Sequence, residues 1–171
     1  FFFPILIGTF FQQLYNTVDS VIVGQFVEKE ALASVGGSSA QIVTLVVGFF
    51  TGLSSGAAVT IAQFFGAQDE KSANQGLHNA YALSLTAGII LTAIGIVLSP
   101  SMLRLMNTPE DILSDSIIYL RIYFAGIIFV LIYNMGSASL RGTGDSKRPL
   151  YYLMVCCGIN IVLDILFVVG L

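Results

Sequence analysis

Three long runs without a charged residue constrain this chain more than any other feature. Residues 31–68, 72–103 and 122–140 contain no Asp, Glu, Lys or Arg, and short charged clusters separate them. Only 10% of the 171 residues are charged, whereas soluble domains carry about a quarter. A helix that crosses a bilayer needs roughly 20 mainly apolar residues. The pattern therefore predicts an all-α membrane protein and excludes a soluble domain.

The charged clusters divide the chain into five predicted membrane-spanning helices. The predicted spans cover residues 1–27, 34–66, 78–100, 116–140 and 149–171. Pro100 is predicted to close the third span, and Pro149 to open the fifth. The long run in span two contains no turn signal, so one long helix is expected there. Barrel strands are excluded, because they are about 10 residues long and alternate in polarity.

The basic residues of the loops predict the orientation, because cytoplasmic loops are enriched in lysine and arginine. The loops after spans two and four contain Lys71, Arg141, Lys147 and Arg148. The loops after spans one and three contain Lys29 and Arg104. This bias places the amino-terminal end of span one in the cytoplasm.

The net charge of −3 argues against a nucleic-acid partner, because nucleic acids bind basic protein surfaces.

Both ends of the chain fall within predicted structure. The first residue is Phe1 rather than Met, and Leu171 ends an apolar run. We therefore expect the chain to be part of a longer membrane protein. No basic region precedes the first apolar run, so a signal peptide is not predicted.

Two aspartates lie inside predicted spans, Asp19 in the first and Asp164 in the fifth. An aspartate at mid-membrane costs about 2.5 to 3.5 kcal/mol on insertion scales, and such residues usually face a cavity or a partner. The alternative is that each side chain reaches the interface or pairs within the bundle. The sequence favours a functional role for both.

Polar side chains accompany both aspartates. Asn160 lies one helical turn before Asp164, and three polar residues share one face of span one with Asp19. The residues predicted to line a polar cavity are Gln12, Tyr15, Asn16, Tyr133 and Asn134. If spans one and five are neighbours, two carboxylates meet in one pocket. One of them then takes a proton, or a cation such as Na⁺ lies between them. Oxygen ligands suit a hard ion, and no His or Cys cluster provides a transition-metal site.

Two further features of the spans are the cysteines and a glycine stripe. Cys156 and Cys157 are adjacent in an apolar run and are predicted to be packing residues rather than a disulfide.

Gly48, Gly52 and Gly56 recur at four-residue spacing in span two. Small residues on one helix face permit close backbone approach. The stripe serves either static packing or helix sliding.

With these residues in place, the chain resembles the multidrug and toxic compound extrusion (MATE) family over nearly its whole length. The similar stretches are Leu14–Asp19, Gly48–Gly56, Ala62–Ala67, Tyr119–Ile122, Leu140–Asp145 and Asn160–Asp164. The resemblance implies five helices of a six-helix amino-terminal lobe in a twelve-helix transporter, with the sixth helix and the second lobe missing. It also implies a multi-pass protein of the plasma membrane that exports organic, cationic and amphipathic cargo by alternating access, in exchange for Na⁺ or H⁺. In the family's motifs, the coupling-cation residues match Asp19, Asn160 and Asp164.

Two alternatives differ in the chemistry they need. A lipid-linked oligosaccharide flippase of the same superfamily would place basic residues in the cavity, whereas the candidates here are acidic or neutral. An intramembrane aspartyl protease would use the Gly-x-Gly-Asp pattern at 142–145, but Asp145 lies in the most basic loop beside Lys147 and Arg148. The sequence therefore predicts no catalytic residue, no cofactor and no enzyme.

Overall fold

A computed structural model describes the main chain of residues 2–26 and 29–169. Within these ranges, the side chains of residues 2, 19, 20, 23, 25, 26, 29–32, 168 and 169 lie outside the description. The helices are α1 Phe2–Phe26, α2 Lys29–Gly36, α3 Ser38–Gly66, α4 Glu70–Leu105, α5 Glu110–Gly142 and α6 Lys147–Asp164, and a π-helical turn Ile165–Val169 follows α6. No strand occurs in the described main chain.

Four segments within the described residues are long and apolar enough to cross a membrane. They are Ala33–Gly66, Glu70–Leu105, Glu110–Gly142 and Lys147–Phe167. The fifth long helix, α1, has 25 residues and carries Gln12, Gln13 and Asn16, which lower its mean hydropathy. The predicted all-α membrane fold is confirmed, and α1 differs from the other long helices in carrying these three amides near its middle.

The chain divides into two compact units, which are described separately. The first, here called the α1–α6 pair, comprises the described residues of Phe1–Ala33 and Gly144–Leu171. The second, here called the three-helix bundle, is Ser34–Thr143 and contains α3, α4 and α5. The division cuts the chain between Ala33 and Ser34 within α2, and between Thr143 and Gly144 after α5.

The core of the three-helix bundle is built on one face of α5, which packs against both α3 and α4. Leu120, Phe124, Ile127 and Leu131 recur at three- and four-residue spacing and are all at most 2% exposed. This spacing puts them on one stripe of the helix. Leu103 of α4 joins the same cluster and is fully buried. Packing of this kind holds helices together in lipid, where burial from water supplies no driving force.

Close packing between α4 and α5 depends on small residues of α4. A Cβ at Gly88 would come within 2.8 Å of Ile128 Cγ1, and one at Gly95 would overlap the Phe124 ring. Thr92 Oγ1 donates a hydrogen bond to the Phe124 carbonyl oxygen, at 2.9 Å. These contacts require glycine, because any larger residue would push the two helices apart.

The predicted glycine stripe of span two behaves differently from the α4 glycines. No described atom lies within 4 Å of a Cβ placed at Gly48, Gly52 or Gly56. The close approach expected of this stripe is therefore not made by any described part of the chain. The regular glycine spacing correctly indicated a helix face of small residues on α3. It did not show that the closest helix contact is between α4 and α5.

Pro100 does not end its helix, contrary to the sequence expectation. It lies inside α4, which continues to Leu105. Proline lacks the N–H that would bond to the carbonyl oxygen four residues earlier, which here belongs to Ile96. Arg121 Nε of α5 donates to that oxygen instead, at 3.2 Å. A neighbouring helix thus supplies the missing donor, and α4 continues.

Candidate cation site

Asn160 and Asp164 form the best-defined polar site that the structure describes. They lie one turn apart on α6, and both are half-buried. Asn160 Oδ1 and Asp164 Oδ2 are each shielded from solvent and have no hydrogen-bond partner among the described residues. Buried oxygens without a donor are rare and costly, and they often mark a bound ion or water. The pair thus offers two unsatisfied oxygens of the kind that bind a hard cation.

The face of α6 that carries this pair is the face that packs against α1. Apart from Pro149 and Ile161, the less exposed residues of α6 recur at heptad-like spacing: Leu150, Leu153, Cys157, Asn160 and Asp164. Leu150 and Leu153 lie against Gly8 of α1, with Cδ atoms 3.8 and 3.7 Å from the position of a glycine Cβ. We call this contact the α1–α6 seam. The two polar residues therefore lie in a helix–helix interface that is otherwise apolar.

The two helices of the seam run parallel. Gly8 is near the start of α1 and faces the start of α6, yet α1 also contacts the π-helical turn Ile165–Val169 beyond the end of α6. The short stretch of α1 before Gly8 cannot reach that turn, so the carboxyl-terminal half of α1 does. Parallel helices keep their register along the seam, because each residue advances by about 1.5 Å in both.

This register brings Asp19 to the level of the polar pair. Asp19 is eleven residues after Gly8, a rise of about 16 Å. The same rise from Leu150 and Leu153 reaches the stretch between Asn160 and Asp164. The main chain of Asp19 lies in α1, whereas its side chain is outside the description. The predicted convergence of the two aspartates is thus compatible with the backbone register and remains a prediction for the side chains.

The polar residues of α1 lie beside the seam. Gln12 and Asn16 are exposed, and Tyr15 is half-buried, seven residues after Gly8 and so on the same side of α1. Asn16 Nδ2 is 3.5 Å from Gln13 Oε1, one turn away. A strip of amides thus borders the seam on the solvent- or lipid-facing side, as their spacing predicts. Their role as cavity-lining residues remains a prediction.

Tyr133 and Asn134 belong to α5 in the three-helix bundle, not to the α1–α6 pair. Tyr133 is exposed and Asn134 is half-buried. Consecutive helical residues point about 100° apart, so the two side chains diverge. Their predicted place in the same cavity as Asp164 also remains a prediction.

Where α6 ends, the helix changes type immediately after Asp164. Residues Ile165–Val169 form a π-helical turn. Such wider turns are rare and occur frequently at functional sites. Neither periodicity nor composition indicated this feature. The widened turn alters the main-chain geometry beside the one carboxylate of the seam whose side chain is described.

The Gly-x-Gly-Asp sequence has a structural role at the junction of α5 and α6. A Cβ at Gly142 would lie 2.8 Å from the Ala58 carbonyl oxygen, and Gly144 has φ +95°, which favours glycine. Asp145 Oδ1 accepts hydrogen bonds from the main-chain N–H groups of Lys147 and Arg148, both at 3.1 Å. Asp145 Oδ2 also pairs with Arg148 Nε at 3.1 Å. This aspartate therefore caps a helix and is not arranged for catalysis.

The cysteine prediction is correct for one residue of the two. Cys157 is buried in the seam, whereas Cys156 is exposed, and both are free thiols. Among the described residues, no group of three or more His, Cys, Asp or Glu side chains could hold a transition metal.

Comparison with known proteins identifies the fold. The MatE family model matches residues 4–166. The chain belongs to the MATE family. A probable multidrug resistance protein of Bacillus subtilis, YoeA, is 33% identical over 171 residues, which cover 100% of this chain and 37% of that protein. The resemblance inferred from the motifs is confirmed, and MATE proteins are transporters rather than enzymes, as predicted.

Two solved MATE structures in different conformations match the chain. An outward-facing multidrug resistance MATE transporter has a TM-score of 0.89 and 31% identity, over 96% of this chain and 36% of that one. An inward-facing MATE transporter has a TM-score of 0.83 and 31% identity, over 91% of this chain and 35% of that one. The chain therefore has the fold of part of the amino-terminal lobe of a multi-pass membrane transporter. It spans little more than a third of the length of these relatives.

Proposed function

We propose that this chain forms the coupling-ion half of an antiporter, which exports organic, cationic and amphipathic compounds in exchange for Na⁺ or H⁺. The observation that carries the proposal is the pair of unsatisfied oxygens, Asn160 Oδ1 and Asp164 Oδ2, buried at the α1–α6 seam. Membership of a transporter family supports the export function. The register of the seam supports a site shared with Asp19.

The chemistry of the site favours a small hard cation or a proton. An ionised carboxylate taken out of water is destabilised, and two carboxylates that share a pocket are neutralised by a proton or by a cation. Asp164 offers a carboxylate oxygen and Asn160 an amide oxygen, both suited to an alkali or alkaline-earth ion. Either Na⁺ or H⁺ would neutralise the pair, and the proposal covers both.

Because the proposed ion site lies between two helices, ion binding changes how closely α1 and α6 pack. When the pair is neutralised, α1 and α6 can pack closely, whereas an ionised Asp164 favours a seam open to water. A cationic cargo molecule would be attracted to the ionised form and released by the neutralised one. This competition gives exchange rather than co-transport. The chain matches solved relatives in both outward-facing and inward-facing conformations, which supports alternating access as the transport mechanism.

We also propose that the amino-terminal end of α1 is cytoplasmic and that the protein lies in the plasma membrane. The basic residues Arg141, Lys147 and Arg148 lie at the junction of α5 and α6, and basic loops favour the cytoplasm. The Bacillus relative is named for multidrug resistance, which requires export from the cell. A cysteine placed at Asn107, in the turn between α4 and α5, should then react with an impermeant maleimide added outside. The same probe should not reach one at Lys147, which is also exposed and lies at the junction of α5 and α6.

The decisive test uses the full-length protein in proteoliposomes. Efflux of a cationic fluorescent compound is measured under a Na⁺ gradient alone and under a pH gradient alone. Asp164→Asn and Asp19→Asn should each abolish ion-driven efflux, whereas Asp115→Asn, at an exposed acid of α5, should leave it unchanged. Protein amount and melting temperature are compared for all variants. Undiminished efflux by Asp164→Asn would refute the assignment of the site.

A further inference from the structure

Arg121 makes an unusual contact for a cation within a membrane helix. Its Nε lies 3.2 Å from the main-chain carbonyl oxygen of Ile96 on α4. The side chain is exposed, and it is eleven residues past the start of α5, or about 16 Å along the helix. Arg121 is five residues into the predicted span 116–140, and an arginine within a membrane-spanning segment is costly unless it has a partner. The partner here is a carbonyl group of the neighbouring helix.

That carbonyl group is the one which Pro100 leaves without a donor. In an α-helix the N–H of residue i bonds to the carbonyl oxygen of residue i−4. Residue 100 is proline and has no N–H, so Ile96 loses its normal donor. In lipid no water replaces it, and Pro is tolerated in membrane helices when a neighbouring group does so. Arg121 and Pro100 are thus two parts of one hydrogen-bonding arrangement.

We propose that Arg121 is a positioning residue whose Nε–H replaces the amide that Pro100 lacks and thereby clamps the end of α4 to α5. The segment after Pro100 carries Leu103, which is fully buried in a cluster with Leu113 and Leu120 of α5. The Arg121 hydrogen bond is therefore made one to two turns before Leu103, the residue that anchors the end of α4 in the core. A lysine could not match it well, because the guanidinium is planar and presents several fixed donors.

The clamp holds the segments of α4 before and after Pro100 in a single arrangement against α5. Proline weakens a helix at its own position, and the two halves of α4 would otherwise move independently. Thr92 Oγ1 bonds to the Phe124 carbonyl oxygen one turn before Ile96, so two α4–α5 hydrogen bonds flank the contact between Gly95 and Phe124. This consequence for transport rests on the proposed function: the bundle moves as one body during alternating access.

A double-mutant cycle on the full-length protein in detergent tests the clamp without any transport assay. Arg121→Leu should lower the melting temperature by about 2 to 4 °C. In the Pro100→Ala background the same change should have little effect, because alanine supplies the N–H that Ile96 needs. Arg104→Leu, at another exposed arginine, in the last turn of α4, should have equal effects in both backgrounds. Equal losses from Arg121→Leu in both backgrounds would refute the clamp.

A second series covers the case in which Pro100→Ala does not fold. Arg121→Lys keeps a charged donor and should retain part of the stability that Arg121→Leu loses. Identical melting temperatures for these two variants would also overturn the proposal. In proteoliposomes, Arg121→Leu should slow efflux several-fold, and Pro100→Ala should restore it. Absence of efflux from the unmodified protein would refute the proposed function alone, since the melting cycle does not depend on it.

Discussion

Gly95 lies directly against the ring of Phe124, so that a Cβ added at residue 95 would overlap that ring. Phe124 is 2% exposed and has no room to withdraw. Interiors are packed closely enough that one added methyl group is felt. The approach of α4 to α5 therefore depends on the absence of a side chain at one position.

Gly95→Ala should destabilise the protein by about 1 to 3 kcal/mol, the usual cost of overpacking. Gly126→Ala on α5 is the matched control, because no described atom lies within 4 Å of its added Cβ. Both changes gain the same helix propensity, so the difference between them isolates the clash. Detergent melting or denaturant titration measures it. Equal stability of the two variants would contradict the tight α4–α5 contact.

Asp145→Ala should weaken the start of α6 by about 1 kcal/mol, because two main-chain N–H groups lose their acceptor. Asp145→Asn keeps an acceptor oxygen and should retain most of the stability. Melting temperatures of the two variants decide the matter. Neither change should produce or abolish peptide cleavage, since Asp145 is a cap. Loss of a cleavage activity in the alanine variant would instead revive the protease hypothesis.

The first turn of α4 should become less stable in acid. Hydrogen bonds from the side chain and the main chain of Ser72 hold the pKa of Asp69 below its ordinary value of 3.8. A lowered pKa means that ionised Asp69 stabilises the folded state above that ordinary value. This stabilisation is lost as pH falls from 3.8 through the lowered pKa. Hydrogen exchange of residues 70–73, corrected for intrinsic rates, should show the loss, and Asp69→Asn should remove the dependence.

The two cysteines should differ in reactivity. Cys156 is exposed and lies one turn before Asn160, whereas Cys157 is buried in the seam. A small methanethiosulfonate reagent should modify Cys156 first, and Cys156→Ser should remove most of the labelling. Cys157→Ser should leave it unchanged. Because Cys156 lies one turn before Asn160, Na⁺ added at constant pH should alter the labelling rate at Cys156. Faster reaction at Cys157 would show that the seam is not closed as described.

Much of the fold was predictable because lipid imposes a simple rule on composition. The uncharged runs locate the long helices, since a charge within the bilayer is expensive. The same rule singled out Asp164, whose oxygen proves to be buried without a donor. Its amide neighbour Asn160 followed from helical spacing alone. These inferences succeed because they depend on local sequence and on the membrane, not on which helices meet.

Features that depend on contacts between helices were not predictable. Proline at residue 100 normally ends a helix, and only the arginine of another helix explains why α4 continues. The Gly48 stripe predicted close packing, yet Gly88 and Gly95 of α4, seven residues apart, make the close contacts, and their spacing alone does not say which of the two glycine faces meets a neighbour. The π-helical turn after Asp164 left no sign in the sequence. For the proline and for the glycines the deciding partner lies on another helix, which the periodicity of one helix does not identify.

The pairing of α1 with α6 has a consequence for how the protein is made. Asp19 and Asp164 are 145 residues apart, so at translation rates of about 5 to 20 residues per second roughly 7 to 30 seconds separate their synthesis. Helix α1 is made before α6 and must wait in the membrane without this partner while α3, α4 and α5 are inserted. During that interval its aspartate and amides depend on the insertion machinery or on lipid headgroups. Slower synthesis of the intervening helices would lengthen the period in which the nascent chain is open to degradation.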